Sequence, residues 1–444
     1  MKQVSRRISW LIIAAAGIPL GACTTKYSVG GTVTGLSGSG LVLQNNSGDN
    51  FSVSASGAFV FSTDVANGDT YAVTVATQPT NPAQTCIVHN GSGTIDKADI
   101  THVIVTCTEP GNYAYVADQT SNDIGAFSID SSSGVLTPVA GSPFDAAGTA
   151  PASVVVDPNR RYLYVANNGS NTVAVFSIDA ATGTLTAVGT PAATGSGPVA
   201  IYVEPSGQYL YVANQGDNDI SAYAINQSTG QLTPLSNSPF AAGSGVDALQ
   251  TDPGGNFLYA ANYGADNISA FSIDAATGAL AGIAGSPFGT GRGPASVSID
   301  PAGTYAYVAD ETADSISAYA INPGTGALTP VSGSPFATGS SSPASIAVDP
   351  AGSHVYVANA TSANQVAAFT IVPASGALTL DETIGAGEMP MFVSVDPSGN
   401  FIYVANNTSN GLSVYDTASG AGVLTAVNGA PFTTGAGPRS IAID

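Results

Sequence analysis

The sequence predicts an all-β protein: a seven-bladed β-propeller whose C-terminal strand closes the first blade, preceded by a small β-sandwich. Three observations carry this expectation. Glycine makes up 52 of the 444 residues and the chain is 44% hydrophobic but only 9% charged, which suits turn-rich sheet and not disorder. A Tyr-Val-Ala core recurs with its tyrosine at Tyr115, Tyr164, Tyr211, Tyr259, Tyr307, Tyr356 and Tyr403, at spacings of 47 to 49 residues. Each copy sits among three further short apolar segments, and four strands at a period near 48 residues make a propeller blade.

Residues 1–22 read as a targeting leader. Lys2, Arg6 and Arg7 precede the apolar stretch Ile8–Leu20, too short to span a bilayer. Leu20-Gly21-Ala22-Cys23 resembles the lipobox of bacterial lipoproteins, which implies acylation of Cys23 and export to the cell envelope, with the membrane engaged only through that lipid. Cys86 and Cys107 then remain as an even pair in an oxidising compartment, and a disulfide is expected.

Residues 23–110 carry short alternating segments such as YSVGGTVTG (27–35), GAFVFST (57–63), TYAVTVAT (70–77) and THVIVTCT (101–108), separated by Gly, Asn and Asp turns. They predict a small antiparallel sandwich serving as a stalk, with the disulfide tying its last two strands. No catalytic motif appears in this stretch.

Residues 111–444 form the repeat array. Each unit offers an x-V-x-V-D-P strand, the Tyr-Val-Ala strand, a Phe/Tyr strand such as AFSID (126–130), and a strand begun by Gly-x-Leu, as at Leu136 and Leu185. Copies of the first strand begin at 151, 198, 246, 294, 343, 390 and 438. The Tyr-Val-Ala strand at 113–118 has none before it and the copy at 438–444 has none after it. Ring closure is therefore expected to lay 438–444 beside 113–118.

These Tyr-Val-Ala-Asn units resemble the YVTN-type, lactonase-like seven-bladed propellers, a group that includes 6-phosphogluconolactonase-like proteins and various envelope or surface-layer proteins. The resemblance covers 112–444. It implies that the first strand of each blade lines a central channel, and that the functional face carries the starts of these strands and the loops after the second strands.

Aligned strand starts show Ala152, Val199, Ala295, Ala344 and Met391 at one position, against two charged exceptions, Asp247 and Arg439. Two residues before the repeat's proline stand Arg292 and Glu388. The four are the candidate binding residues. They suit a small anionic molecule, because a guanidinium pairs with carboxylate or phosphate through two parallel bonds. On the lactonase resemblance, Arg292 or Arg439 would polarise a carbonyl, and Glu388 or Asp247 would activate water. Neighbouring-blade salt bridges, Asp247 with Arg292 and Glu388 with Arg439, are the structural alternative.

Other recurrences read as scaffold. Asp157, Glu204, Asp252, Asp300, Asp349 and Asp396 precede proline in turns. Gly-Ser-Pro-Phe copies lack a nucleophile-elbow context, and His354 takes a position held by Tyr or Phe elsewhere. No metal-ligand or cofactor motif is present. A net charge of −21 argues against nucleic acid and anionic lipid as partners. Sparse charged groups and a channel mouth without histidine favour a ligand- or protein-binding envelope module over the alternatives, a lactonase or a surface-layer element. Oligomeric state is left open.

Overall fold

The computed structural model describes residues 25–36, 38–80, 84–108, 112–361, 363–417 and 422–444. The leader and Cys23 lie outside them. The described residues fall into two compact units divided between Pro110 and Gly111.

The first unit is a sandwich of two four-stranded sheets with a two-stranded ribbon, Lys26–Tyr27 against Val65–Ala66. One sheet orders Gly57–Val60, Val29–Thr34, Ile100–Thr108 and Thr85–His89; the other orders Asp49–Val53, Leu41–Asn45, Thr70–Thr77 and Ser92–Thr94. Alternating residues including Val29, Val33, Leu41, Leu43, Phe59 and Val103 are buried between them. One pair departs from the antiparallel expectation: Ile100–Thr108 runs parallel to Val29–Thr34. A parallel neighbour needs a long crossover, and the chain between these strands supplies it by building the second sheet. Cys86 and Cys107 are bonded and lie opposite each other in register. They join sheet neighbours, although Ser92–Thr94 intervenes in the chain.

The second unit is the propeller. Its blades are numbered by their second strands: Tyr113–Asp118, Tyr162–Asn167, Tyr209–Asn214, Phe257–Asn262, Tyr305–Asp310, His354–Asn359 and Phe401–Asn406. Every residue of strand Tyr164 sits on is buried, and the other second strands are buried over all or nearly all of their length. Hence these strands read as continuous apolar runs and not as alternation. Inner strands are Pro151–Val156, Pro198–Val203, Val246–Thr251, Pro294–Ile299, Pro343–Val348 and Pro390–Val395 for blades 2 to 7. Blade 1 takes its inner strand from Pro438–Ile443, paired antiparallel with Tyr113–Asp118 in the register Ala114 to Ile443 and Val116 to Ile441.

The fourth strand departs from the simple four-strand count. In six blades it is broken into a short piece, such as Leu136–Pro138 (two residues in blade 7, Thr425–Ala426), and a two-residue piece, such as Phe144–Asp145, both paired with the third strand. Proline interrupts the ladder between them because it has no N–H to donate. Ser142 offers its Oγ to the Ala126 N–H at 2.8 Å in place of the lost bond, and Ser238, Ser286 and Ser334 do the same for Ala222, Ala270 and Ala318. Those serines are structural acceptors. Blade 6 has no proline there, and its fourth strand runs unbroken as Leu378–Gly385.

Three repeated polar contacts lock blade to blade. The Tyr-Val-Ala hydroxyl donates to the carbonyl of the Gly-x-Leu glycine in the next blade: Tyr115 to Gly183, Tyr164 to Gly230, Tyr211 to Gly278, Tyr259 to Gly326, Tyr307 to Gly376, and across the closure Tyr403 to Gly134. Glycine is required at that turn. Gly183 has φ +71°, and a Cβ there would come 2.4 Å from the Tyr113 ring. A left-handed Asx residue after each second strand accepts an N–H from the loop entering the next inner strand, as Asn171 does from Gly197 at 2.8 Å and Asn410 from Gly437 at 2.9 Å. Finally, inner-strand serines accept N–H groups from the neighbouring inner strand: Val154 donates to Ser440, Ile201 to Ser153, Ile346 to Ser296 and Val393 to Ser345. These hydroxyls satisfy strand edges that no ladder covers.

Candidate functional site

The seven inner strands enclose a central cavity of about 500 Å³. One end is ringed by the second residue of each inner strand: Arg439, Ala152, Val199, Asp247, Ala295, Ala344 and Met391. Glu311 joins them at this end. The other end reaches Pro301, Asp349 and Pro350 in the turns after the inner strands.

Asp247 and Arg439 therefore stand in one mouth. They do not pair with the neighbours expected for them. Arg292 and Glu388 are exposed and do not line the cavity. Their backbones explain this. The Arg292 carbonyl accepts the Thr312 N–H at 3.1 Å, and the Glu388 carbonyl accepts the Thr408 N–H at 3.2 Å. Both residues are thereby fixed in the outer rung of a loop pairing, one step removed from the channel. Among the described residues, ion pairs within 4.0 Å are limited to Arg161 with Asp157 and His354 with Asp349.

Glu311 replaces them, and the strand-start alignment could not reveal it. It comes from the loop after the second strand of blade 5 and begins the short 3-10 turn Glu311–Ala313. The residues at its position in other blades are Gln119, Asn168, Gln215, Tyr263, Ala360 and Asn407. Aligned in that way, the single acid stands out. The signal was present one strand downstream of where the exceptions were sought.

Blade order around the ring sets the geometry. Asp247 belongs to blade 4 and Glu311 to blade 5, while Arg439 belongs to blade 1 on the opposite side. Both carboxylates feel the guanidinium. Burial pushes the Asp247 carboxyl up to about 6, the Arg439 charge holds it down, and the Glu311 charge pushes it further up. Burial likewise raises Glu311, opposed by a hydrogen bond from Tyr263 and by Arg439. Each acid is braced from the preceding blade: Gln215 Nε2 donates to Asp247 Oδ1 at 2.7 Å, and Tyr263 reaches Glu311. Below the mouth, Tyr202, Gln250 and Phe392 line the wall, with Gln250 Nε2 donating to the Tyr202 hydroxyl at 3.3 Å.

Nowhere among the described residues do three or more His, Cys, Asp or Glu side chains gather in a way that could hold a metal ion. The acids before proline serve their hairpins. Asp157 Oδ1 accepts the Arg161 and Tyr162 N–H groups, and Asp396 Oδ1 accepts that of Phe401. His354 pairs with Asp349 at the foot of blade 6.

Two carboxylates and one guanidinium thus stand at one mouth of a seven-bladed propeller's channel, a concave site with a few polar groups over a mostly apolar wall. The family model described as "Lactonase, 7-bladed beta-propeller" matches residues 51–249 and 248–437, and the chain belongs to that family. No curated protein matches its sequence. Similar solved structures include a proposed 6-phosphogluconolactonase from Bacteroides fragilis (TM-score 0.68, 22% identity, covering 76% of this chain and 99% of that one). A periplasmic gluconolactonase from Pseudomonas aeruginosa is also similar (TM-score 0.65, 20% identity, 75% and 98%). A Lactobacillus plantarum protein gives a TM-score of 0.66 at 22% identity, over 75% and 99%. At these identities the structures share the fold.

Proposed function

We propose that the chain is a lactone hydrolase with its site at the channel mouth, formed by Asp247, Glu311 and Arg439. The observation that carries the reading is the convergence of two half-buried carboxylates on one guanidinium over an open cavity, in a member of the lactonase propeller family. Hydrolysis of a lactone needs those parts. A carboxylate accepts a proton from water as its oxygen bonds to the acyl carbon. Arg439 stabilises the negative charge that develops on the carbonyl oxygen. The acyl carbon to ring oxygen bond then breaks, the proton passes to the departing ring oxygen, and a hydroxy acid leaves. Asp247, with its raised carboxyl and its Gln215 brace, is the proposed base, and Glu311 adds a second negative charge to the mouth that feels the Arg439 guanidinium.

Leader residues 1–22 and Cys23, which lie outside the described residues, support placing this hydrolase outside the cytoplasm on a lipid anchor. A non-catalytic binding role for the same mouth is the competing outcome. The test is a panel of five- and six-membered lactones, with acid release followed at constant pH for the purified chain and for Asp247→Asn and Glu311→Gln. Turnover lost in Asp247→Asn and retained in Glu311→Gln with an altered pH dependence supports hydrolysis with Asp247 as the base. Ligand-dependent thermal stabilisation without any turnover supports binding alone.

A further inference from the structure

We propose that the lactone accepted by this mouth is uncharged and polyhydroxylated, an unphosphorylated sugar lactone, and that the mouth discriminates against phosphorylated substrates. The inference rests on the hydrolase reading and adds the charge class of its substrate.

Charge at the mouth carries it first. Of the four arginines in the propeller, Arg439 alone lines the cavity, and Asp247 and Glu311 face it. Arg292, which would be the second cation, is exposed on the rim. A phosphate dianion would have to share one guanidinium with two carboxylates, in a chain whose net charge is already −21. Phosphate sites are built the other way, from several cations or a cluster of backbone N–H groups. A neutral lactone brings no charge of its own. Its transition state develops a single negative charge at one oxygen, which one guanidinium matches. After ring opening the product is a carboxylate, and the same two acids favour its release.

The wall carries the rest. Ser296 and Ser298 line the cavity and accept the Ile346 and Val348 N–H groups, so each hydroxyl hydrogen is left to donate elsewhere. Gln250 and the rings of Tyr202 and Phe392 add neutral polar and aromatic groups to a wall otherwise built largely of Ala, Val, Ile and Leu side chains. Such a surface suits a polyol: hydroxyl groups find neutral partners, and the apolar ring face finds an aromatic one. About 500 Å³ is ample for a six-membered sugar ring.

The test compares glucono-δ-lactone with its 6-phosphate, using the full chain at pH 7 and low ionic strength. The expected result is kcat/KM at least 10-fold higher for the neutral compound, with the gap narrowing as salt screens the mouth. Ala344→Lys, at the strand position equivalent to Arg439 but outside the proposed machinery, should raise kcat/KM for the phosphorylated compound by 10-fold or more. It should leave the neutral one within about threefold. Equal or faster hydrolysis of the phosphorylated compound by the unaltered chain overturns the inference and leaves the hydrolase reading standing. Hydrolysis of neither overturns both.

Discussion

Asp444 Oδ1 accepts the Tyr113 backbone N–H at 2.6 Å, repeating across 331 residues the bond that Asp157 Oδ1 makes to Tyr162 N–H at 2.7 Å within one hairpin. The closure thus reproduces the contact of a covalent turn without the turn. Asp444→Ala leaves the Tyr113 N–H without its acceptor and should cost about 1–3 kcal/mol in urea unfolding. Deleting 438–444 should cost far more, because the inner strand of blade 1 and the serine acceptor for Val154 go with it. An unchanged midpoint for the deletion would refute closure by this strand.

Inter-blade clamps make a second expectation. Tyr211→Phe removes the hydroxyl that bonds the Gly278 carbonyl at 2.9 Å while keeping the buried ring, so a loss of about 1 kcal/mol is expected. Gly278→Val should cost clearly more, since φ is +69° and a Cβ would lie 2.4 Å from the Tyr209 ring. Denaturant midpoints of the two variants decide the order.

Stability should fall as pH rises from about 4 to about 7. Burial raises the Asp118 carboxyl to about 7 and those of Asp310 and Asp444 to about 6, from an ordinary aspartate value of 3.8. A carboxyl that is a weaker acid in the folded state binds its proton more tightly there. Its contribution is complete below the unfolded value and is lost as pH climbs through the folded one. Five blades carry Asn where Asp118 and Asp310 stand, namely Asn167, Asn214, Asn262, Asn359 and Asn406. Asp118→Asn should therefore raise the thermal midpoint at pH 8 and change it little at pH 4.5. A gain of equal size at both pH values would contradict this assignment.

How legible the protein was follows from what repeats. Six copies of Tyr-Val-Ala, a seventh reading Tyr-Ala-Ala at 259–261, and the offset copy at 438–444 make the blade number and the closure readable, since a ring requires those counts to match. The parallel pair in the sandwich was not readable, because alternation fixes which face is buried and says nothing of the neighbour's direction. Asp247 and Arg439 were found as exceptions within one column of the repeat. Glu311 escaped because it sits in a different column, and the cavity joins columns that the sequence keeps apart. Arg292 and Glu388 stand three residues before the ring positions Ala295 and Met391, in the loop and not on the inner strand, and the sequence does not say where that loop carries them.

The proposed base has a kinetic signature. Asp247 must be ionised to take a proton, and its carboxyl lies at about 6. Lactone kcat/KM should thus rise with pH to a plateau, half-maximal near pH 6. In Glu311→Gln the loss of a neighbouring negative charge should move that midpoint to lower pH. A profile flat between pH 5 and pH 8 would assign the proton to another group.

In the proposed hydrolysis, Arg439 stabilises the negative charge on a lactone carbonyl at the channel mouth. The most direct measurement is kcat/KM for lactone hydrolysis by the unaltered chain and by Arg439→Ala, with thermal midpoints recorded in parallel. A loss of about 100-fold or more with little change in midpoint is expected, because the side chain is half-buried at the mouth and makes no ion pair within 4.0 Å among the described residues. Undiminished hydrolysis by Arg439→Ala would contradict it.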